Sequence, residues 1–148
     1  PARTRRATSS SVAVNRRVAD DARALGVPVN VADDPGRGTF VVPALVRRGD
    51  LALAVTTGGA SPVVARRVRE DLEARFGPEW AALLRLLAER RDALKARHPA
   101  IPDRRAAVER LLDGDVLRLL AAGDAEGARR RCDADLGLAP SAAAEAVA

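Results

Sequence analysis

Hydrophobic side chains recur at helical spacing over residues 12–25, and this pattern predicts a helix. Gly26 closes the predicted helix, because glycine readily adopts the left-handed backbone that often follows a helix end. The basic and then Ser- and Thr-rich residues 1–11 show no period, which indicates a loop or a frayed end. The residues predicted to form the apolar face of the helix are Val14, Val18 and Ala22.

Short β-branched runs dominate the next segment. Residues 27–31 form one strand candidate, and residues 39–46 form a second, in which Pro43 favours an edge strand or a bend. A third run, residues 51–56, follows the turn residues 48–50. Because this link is so short, we expect the second and third runs to pair as a β-hairpin and not through a parallel crossover.

Helices are predicted from residue 61 onward. Ser61 suits an N-cap and Pro62 suits the first helical position, and the helix is expected to run to about Phe76. Gly77 and Pro78 end it and begin a second helix. The predicted apolar positions are Val64, Val68, Leu72 and Phe76 in the first helix, and Trp80, Leu83, Leu84, Leu87 and Leu94 in the second.

Proline residues divide the C-terminal third of the chain. Pro99 and Pro102 are expected to break it again, and two or three shorter helices are predicted to follow. The Ala-rich end after Pro140 is expected to be disordered. The apolar positions of the shorter helices are Val108, Leu111 and Leu112, then Val116, Leu119 and Leu120, then Ala128 and Leu136.

Composition narrows the class of protein. The net charge of +5 comes from arginines in residues 1–19, so we expect no general affinity for nucleic acid. The single cysteine, Cys132, excludes an intramolecular disulfide and favours a reducing compartment. No apolar run approaches the roughly 20 residues of a membrane span, and no signal-peptide core follows the first residues. We therefore expect a cytoplasmic protein without a membrane partner.

A glycine turn between a predicted strand and a predicted helix is the first candidate site. Residues 57–62, T-G-G-A-S-P, combine glycines that allow close backbone approach with a helix start that offers free N–H groups. Such a junction suits a carboxylate or a phosphate, and Arg66, Arg67 and Arg69 follow it. The alternative is a tight turn with a good N-cap. It is not a dinucleotide fingerprint, since G-x-G-x-x-G does not occur.

Asp33 and Asp34 follow the strand candidate at residues 27–31, where α/β folds place working groups. Asp33 is thus a candidate general base. The alternative is that Asp34 serves the turn and Asp33 is simply solvated.

Other polar residues are interpreted as structural. His98 has no neighbouring His or Cys, so we expect a surface or capping residue and no metal site. Cys132 is predicted to be a small core residue. The pairs Arg66-Arg67 and Arg90-Arg91 are predicted to be solvated.

Five short runs follow one another in a fixed order and spacing: V-N-V-A-D-D-P at 29–35, T-F-V-V-P-A at 39–44, R-G-D-L at 48–51, T-T-G-G-A-S-P at 56–62, and Ala65-Arg66 with Arg69-Glu70. As a set, they closely resemble the middle of precorrin-2 dehydrogenases and the matching module of multifunctional siroheme synthases. The resemblance covers roughly residues 7–120 and is weak beyond Pro99.

The resemblance implies a function and a set of site residues. Such enzymes oxidise precorrin-2 to sirohydrochlorin with NAD+, and many then insert ferrous iron as the substrate metal. Asp33 matches the family's important aspartate, which would accept a proton. The resemblance also implies that a tetrapyrrole with many carboxylates lies near Asn30, Thr57, Gly58, Gly59, Ser61 and Arg66.

The implied architecture is α/β. It comprises the end of a Rossmann domain at residues 1–32, a β-hairpin dimerisation and substrate module at 33–76, a helical region at 77–140 that pairs two chains, and a tail at 141–148. The family's glycine-rich NAD turn is not in this sequence, so we expect the main NAD site to be missing from it. The alternatives are a non-catalytic dimerisation or tetrapyrrole-binding module and a small basic nucleic-acid binder.

Overall fold

The computed structural model describes residues 4–32 and 34–138. The chain forms two compact units. The first comprises the described residues of Pro1–Val46 and Leu53–Leu72, and the second comprises Arg47–Ala52 and the described residues of Glu73–Ala148. Asp33 and the predicted tail at 141–148 lie outside the described residues.

The first unit begins with a βαβ arrangement. Strand β1 (Arg5–Ala7) and strand β2 (Val29–Val31) are joined by helix α1 (Val12–Ala24). The two strands pair in parallel, with Arg6 opposite Asn30. The predicted helix and the predicted strand at residues 27–31 are both confirmed, and Gly26 has the expected positive φ of 64°.

The expectation of a loop over the whole of residues 1–11 is wrong, because β1 lies within it. Backbone hydrogen bonds fix this strand: the Arg5 N–H donates to Pro28 O at 2.9 Å, and the Ala32 N–H donates to Ala7 O at 3.1 Å. Only Ala7 of the three strand residues is buried. Main-chain pairing therefore forms a strand that the side-chain pattern does not predict.

The buried face of α1 agrees with the prediction at Ala22 and at Val18, which packs against the core, but differs from it at Val14. Its buried residues are Asn15, Ala19 and Ala22, whereas Val14 is 48% exposed. The two alanines pack with Ala7, Val29 and Val31. Small side chains allow the helix to lie close to the two strands, so burial here follows size and not hydrophobicity.

A closed loop joins β2 to the hairpin that follows. It contains a 3-10 turn at Pro35–Arg37. Thr39 fastens the end of the loop to β2: its N–H donates to Val29 O at 2.7 Å, and its hydroxyl accepts from the Val29 N–H at 2.8 Å. These bonds hold residue 39 outside a regular ladder, so the predicted strand at 39–46 begins only at Ala44.

The predicted hairpin is confirmed. Strand β3 (Ala44–Arg48) pairs with strand β4 (Leu51–Val55), and the two-residue link contains Gly49 at φ 59°. Helix α2 (Pro62–Arg75) follows and begins as predicted, with Val64 N–H donating to the Ser61 hydroxyl at 3.3 Å. Its predicted apolar stripe is not buried, since α2 contains no buried residue.

The second unit is helical. Its helices are α3 (Glu79–Glu89), α4 (Arg91–Arg97), α5 (Ile101–Asp113), α6 (Val116–Ala121) and α7 (Ala125–Asp135). The predicted second helix is therefore interrupted at Arg90, and Pro102 lies in the first turn of α5 and does not break it. The fully buried side chains of this core are Leu83, Ala107, Leu111, Val116, Ala128, Cys132 and Leu136.

Polar side chains link the ends of these helices. His98 is the C-cap of α4, and its ring Nε2 lies 2.9 Å from Leu136 O, as expected for a capping residue. Arg90 is not solvated as predicted: its side chain is 14% exposed, and its Nη2 donates to Asp133 Oδ2 at 3.2 Å. The interhelical ion pair explains its burial, because a buried charge needs a partner.

Among the described residues, no helix has both the length and the apolar character to cross a membrane.

Candidate functional site

A cavity of about 580 Å³ lies within the first unit. Its wall combines the carboxyl end of β2, the end of β4, the glycine turn and the first turns of α2. Ligands of open α/β sheets bind beyond the carboxyl ends of parallel strands, and this cavity occupies such a position.

The cavity brings together several residues that the sequence singled out. Asn30, Thr57, Gly59 and Arg66 line it, together with Ala32 and Pro35 on either side of the Asp33-Asp34 pair. Gly58 and Ser61 are not among the described residues that form its wall. Asp33 falls outside the described residues, so its side chain stays a sequence-based prediction.

The glycine turn contacts the loop that bears the aspartates. Gly58 and Gly59 both have positive φ, 64° and 89°. A side chain on Gly59 would place its Cβ 2.9 Å from Pro35 Cβ, which is closer than two carbon atoms can pack. Glycine is therefore required at residue 59 both for its backbone and for the contact with Pro35.

Hydroxyl groups stabilise this turn from within. The Thr57 hydroxyl accepts from the Ser61 N–H at 3.1 Å, and the Thr56 hydroxyl accepts from the Gly58 N–H at 3.2 Å. The Ser61 hydroxyl caps α2. The N–H groups of Gly58 and Ser61 are thus engaged inside the turn, so charge on the cavity wall comes mainly from side chains.

Asn30 supports the cavity floor. Its side chain is 8% exposed, and its Nδ2 donates to Phe40 O at 3.2 Å. This hydrogen bond connects β2 to the end of the loop, as the hydrogen bonds of Thr39 also do. Asn30 therefore orients the loop whether or not it also contacts a ligand.

The charged side chains on the wall are all basic. Arg6, Arg66 and Arg69 line the cavity, and no Asp or Glu does so among the described residues. Arg66 and Arg69 share one carboxylate, with Nε and Nη2 respectively at 3.1 and 3.3 Å from Glu70 Oε1. The rest of the wall includes Val31, Val41, Val42 and Val55. The cavity thus suits a ligand with an apolar body and acidic substituents.

Sequence reasoning missed Arg6 because it lies in a segment without periodicity. The run Arg5-Arg6-Ala7-Thr8 has no acidic neighbours and precedes a helix. A strand of three residues is too short for its side-chain pattern to distinguish it from a loop. The position of Arg6 at the cavity follows only from the pairing of β1 with β2.

The described residues do not supply a dinucleotide fingerprint. A pyrophosphate in a Rossmann fold lies on a glycine-rich turn after the first strand. The turn between β1 and α1 is Thr8-Ser9-Ser10-Ser11, and Ser9 N–H and Ser9 O bond the buried Asn15 side chain. We assign no residue of this turn to NAD.

Three family models match consecutive regions of the chain. An NAD(P)-binding model matches residues 6–44. The sirohaem biosynthesis protein central model matches residues 48–75. The sirohaem synthase dimerisation region matches residues 79–136.

Relatives of known description show the same relationship. A siroheme synthase of Gluconobacter oxydans is 39% identical over 127 residues, which are 86% of this chain and 27% of that protein. One of Xylella fastidiosa is 43% identical over 107 residues, 72% of this chain and 22% of that protein. The chain thus spans about a quarter of the length of these relatives.

A solved structure shares the fold. A precorrin-2 dehydrogenase, SirC, superposes with a TM-score of 0.62 at 21% identity, covering 89% of this chain and 62% of that one. The βαβ start, the hairpin with its glycine turn and the helical region therefore define an α/β protein of the Rossmann-type class.

Within that class, the order of the three matched regions is specific. The chain is homologous to the corresponding region of siroheme synthases, which confirms the resemblance seen in its sequence.

Proposed function

We propose that the protein to which these residues belong acts in siroheme biosynthesis as a precorrin-2 dehydrogenase, which oxidises precorrin-2 to sirohydrochlorin. The observation that carries this proposal is the contact of Gly59 with Pro35. It joins the glycine turn to the loop of Asp33 and Asp34 beside one cavity with basic walls. Described residues from two runs of the family motif, residues 29–35 and 56–62, thereby line one cavity, which supports the proposal.

In the proposed reaction, precorrin-2 loses a hydride and a proton. Bound NAD+ would supply the hydride acceptor, for which no described residue of this chain is assigned, and the carboxylate of Asp33 would accept the proton. The macrocycle's carboxylates would bind the cavity's arginines, because hydrogen bonds between a carboxylate and a guanidinium group are stronger than those between neutral groups. Its apolar ring would contact the valines of the wall.

Asp33→Asn tests this assignment in the full-length protein. Removal of a general base lowers turnover by roughly 10²- to 10⁴-fold, measured as NADH formation from precorrin-2. Asp34→Asn is the matched control, because Asp34 Oδ2 lies 3.2 Å from Arg37 Nε in an exposed local ion pair. Equal turnover in both variants would defeat the role of Asp33. No turnover in the unaltered protein would favour a non-catalytic tetrapyrrole-binding module.

Insertion of ferrous iron into sirohydrochlorin is a second reaction that we propose for the same cavity. Chelation also needs a base that removes protons from the macrocycle, and Asp33 would supply it. Among the described residues, no three His, Cys, Asp or Glu side chains converge into a metal site. In this proposal the iron is a substrate that the macrocycle binds. Loss of ferrous-dependent absorbance change in Asp33→Asn checks this step.

The proposed organisation follows the family. Residues 1–32, 33–76 and 77–140 would act as the Rossmann portion, the substrate module and the helical pairing region of a cytoplasmic homodimer. The match of residues 79–136 to a dimerisation region supports the pairing of two chains.

A further inference from the structure

The two arginines of β1 lie on opposite faces of the parallel sheet, because successive strand side chains alternate. Arg5 and Ala7 share the face of Val29 and Val31, which packs on α1. Arg6 and its cross-strand neighbour Asn30 lie on the other face. Accordingly, Arg6 lines the large cavity, whereas Arg5 lines a separate, smaller one beside α1.

This second face is unusual for a parallel sheet. Parallel strands are normally covered on both faces and carry apolar side chains on each. Here the face opposite α1 presents an exposed guanidinium beside a buried amide. Both polar residues of this face line the cavity.

The charge of Arg6 is not balanced on the cavity wall. Within the part of the chain that the structure describes, its guanidinium has no hydrogen-bond or ion-pair partner. Arg66, by contrast, pairs with Glu70, and so does Arg69. Arg6 is therefore the wall cation whose donors are most available to an incoming acidic group.

We infer that Arg6 is a substrate-specificity residue, which binds a peripheral carboxylate of the tetrapyrrole through charge-assisted hydrogen bonds. The inference rests on the proposed function, since it assigns one more contact to the same cavity. It predicts that affinity depends on the number of acidic substituents, because Arg6 extends the basic wall from α2 to the sheet.

Equilibrium titration with two porphyrins tests the inference. Uroporphyrin carries an acetate and a propionate on every pyrrole ring, and coproporphyrin lacks the acetates. Arg6→Gln is expected to weaken uroporphyrin binding by about tenfold or more, the range for a lost hydrogen bond to a charged group. The loss for coproporphyrin is expected to be smaller. Tryptophan and porphyrin fluorescence give the dissociation constants.

Arg5→Gln is the matched control. It removes the same charge from the adjacent residue of the same strand but alters the other face, so its affinity should stay within about twofold of the parent, as for a surface charge that makes no contact. Arg6→Lys should recover part of the loss, since it restores the charge without the planar fork. Far-UV circular dichroism of all three variants checks that they fold.

The outcomes separate the inference from the proposed function. Equal effects of Arg6→Gln and Arg5→Gln would overturn the role of Arg6 while leaving the cavity as the tetrapyrrole site. A loss of NAD+ affinity in Arg6→Gln, with porphyrin affinity retained, would overturn it in favour of a phosphate contact. If the unaltered protein bound neither porphyrin, both proposals would fall together.

Discussion

Single residues in this protein illustrate how environment decides the role of a side chain. Arg90 was expected in solvent, yet it lies against Asp133 from another helix, and that hydrogen bond raises its pKa. The position of a residue along a helix predicts the exposure of its side chain only when the helix packed beside it is known. Cys132 was predicted to be buried and is so, because a small apolar side chain at helical spacing with Ala128 and Leu136 has a core as its natural environment.

Burial also raises the pKa of the Cys132 thiol from 9.0 to about 11, with Arg90 opposing the shift. Between these two values the unfolded chain loses a proton that the folded chain retains. The free energy of unfolding is therefore expected to be fully retained below pH 9 and to fall as the pH rises toward 11, by at most ~3 kcal/mol.

Urea denaturation at a series of alkaline pH values measures this fall. Cys132→Ala removes the titrating group, so its stability should lack that part of the pH dependence even if the lost side chain lowers stability throughout. Parallel curves for the two proteins would contradict the prediction.

At the scale of elements, the strong local signals were sufficient for prediction. The hairpin, the Ser61-Pro62 helix start and the helix start after Gly77 follow from turn chemistry and periodicity, whereas the interruption at Arg90 does not. The short strand β1 was missed because backbone pairing with β2 forms it, and its sequence contributes only Ala7 to the core. The predicted face of α1 was wrong at Val14, because the buried face is centred on Asn15, Ala19 and Ala22.

The two glycines of the turn make a matched test of this element. Both have positive φ, so alanine at either residue should cost about 1 kcal/mol of backbone strain. Only at residue 59 does the new Cβ meet Pro35, whereas residue 58 has no atom within 4 Å. Gly59→Ala is expected to cost a further ~1–3 kcal/mol through overpacking.

Chemical denaturation of both variants gives the difference. Equal losses of stability would show that the Pro35 contact yields without cost. A larger loss for Gly58→Ala would contradict the assigned packing.

On the scale of the whole molecule, the candidate site could be predicted only through the family motif. Composition and spacing identified the glycine turn and Asp33 only as two separate candidate sites, because residues 33 and 59 are distant along the chain. The fold brings Gly59 against Pro35, two residues after Asp33 in the sequence, and it adds Arg6 from a third segment. No local rule of sequence places these three segments at one cavity.

The proposed homodimer gives the corresponding prediction. Light scattering is expected to give twice the chain mass of 15.6 kDa, and the melting temperature should rise with protein concentration because association stabilises the folded chain. Helix α2 contains no buried residue, and its Val63 and Val64 side chains are 77% and 52% exposed in the single chain. A mass of one chain at every concentration, with a constant melting temperature, would exclude pairing of this chain.

The bonds from Thr39 to Val29 bracket the aspartate loop, since β1 secures the strand before it and Thr39 secures the chain after it. A residue inserted or deleted between Asp34 and Gly38 would displace the 3-10 turn and the part of the cavity wall that Pro35 forms. The start of the hairpin would keep its position. A change in the length of this turn is therefore expected to alter the cavity beside Pro35 while β2 and the start of the hairpin keep their positions.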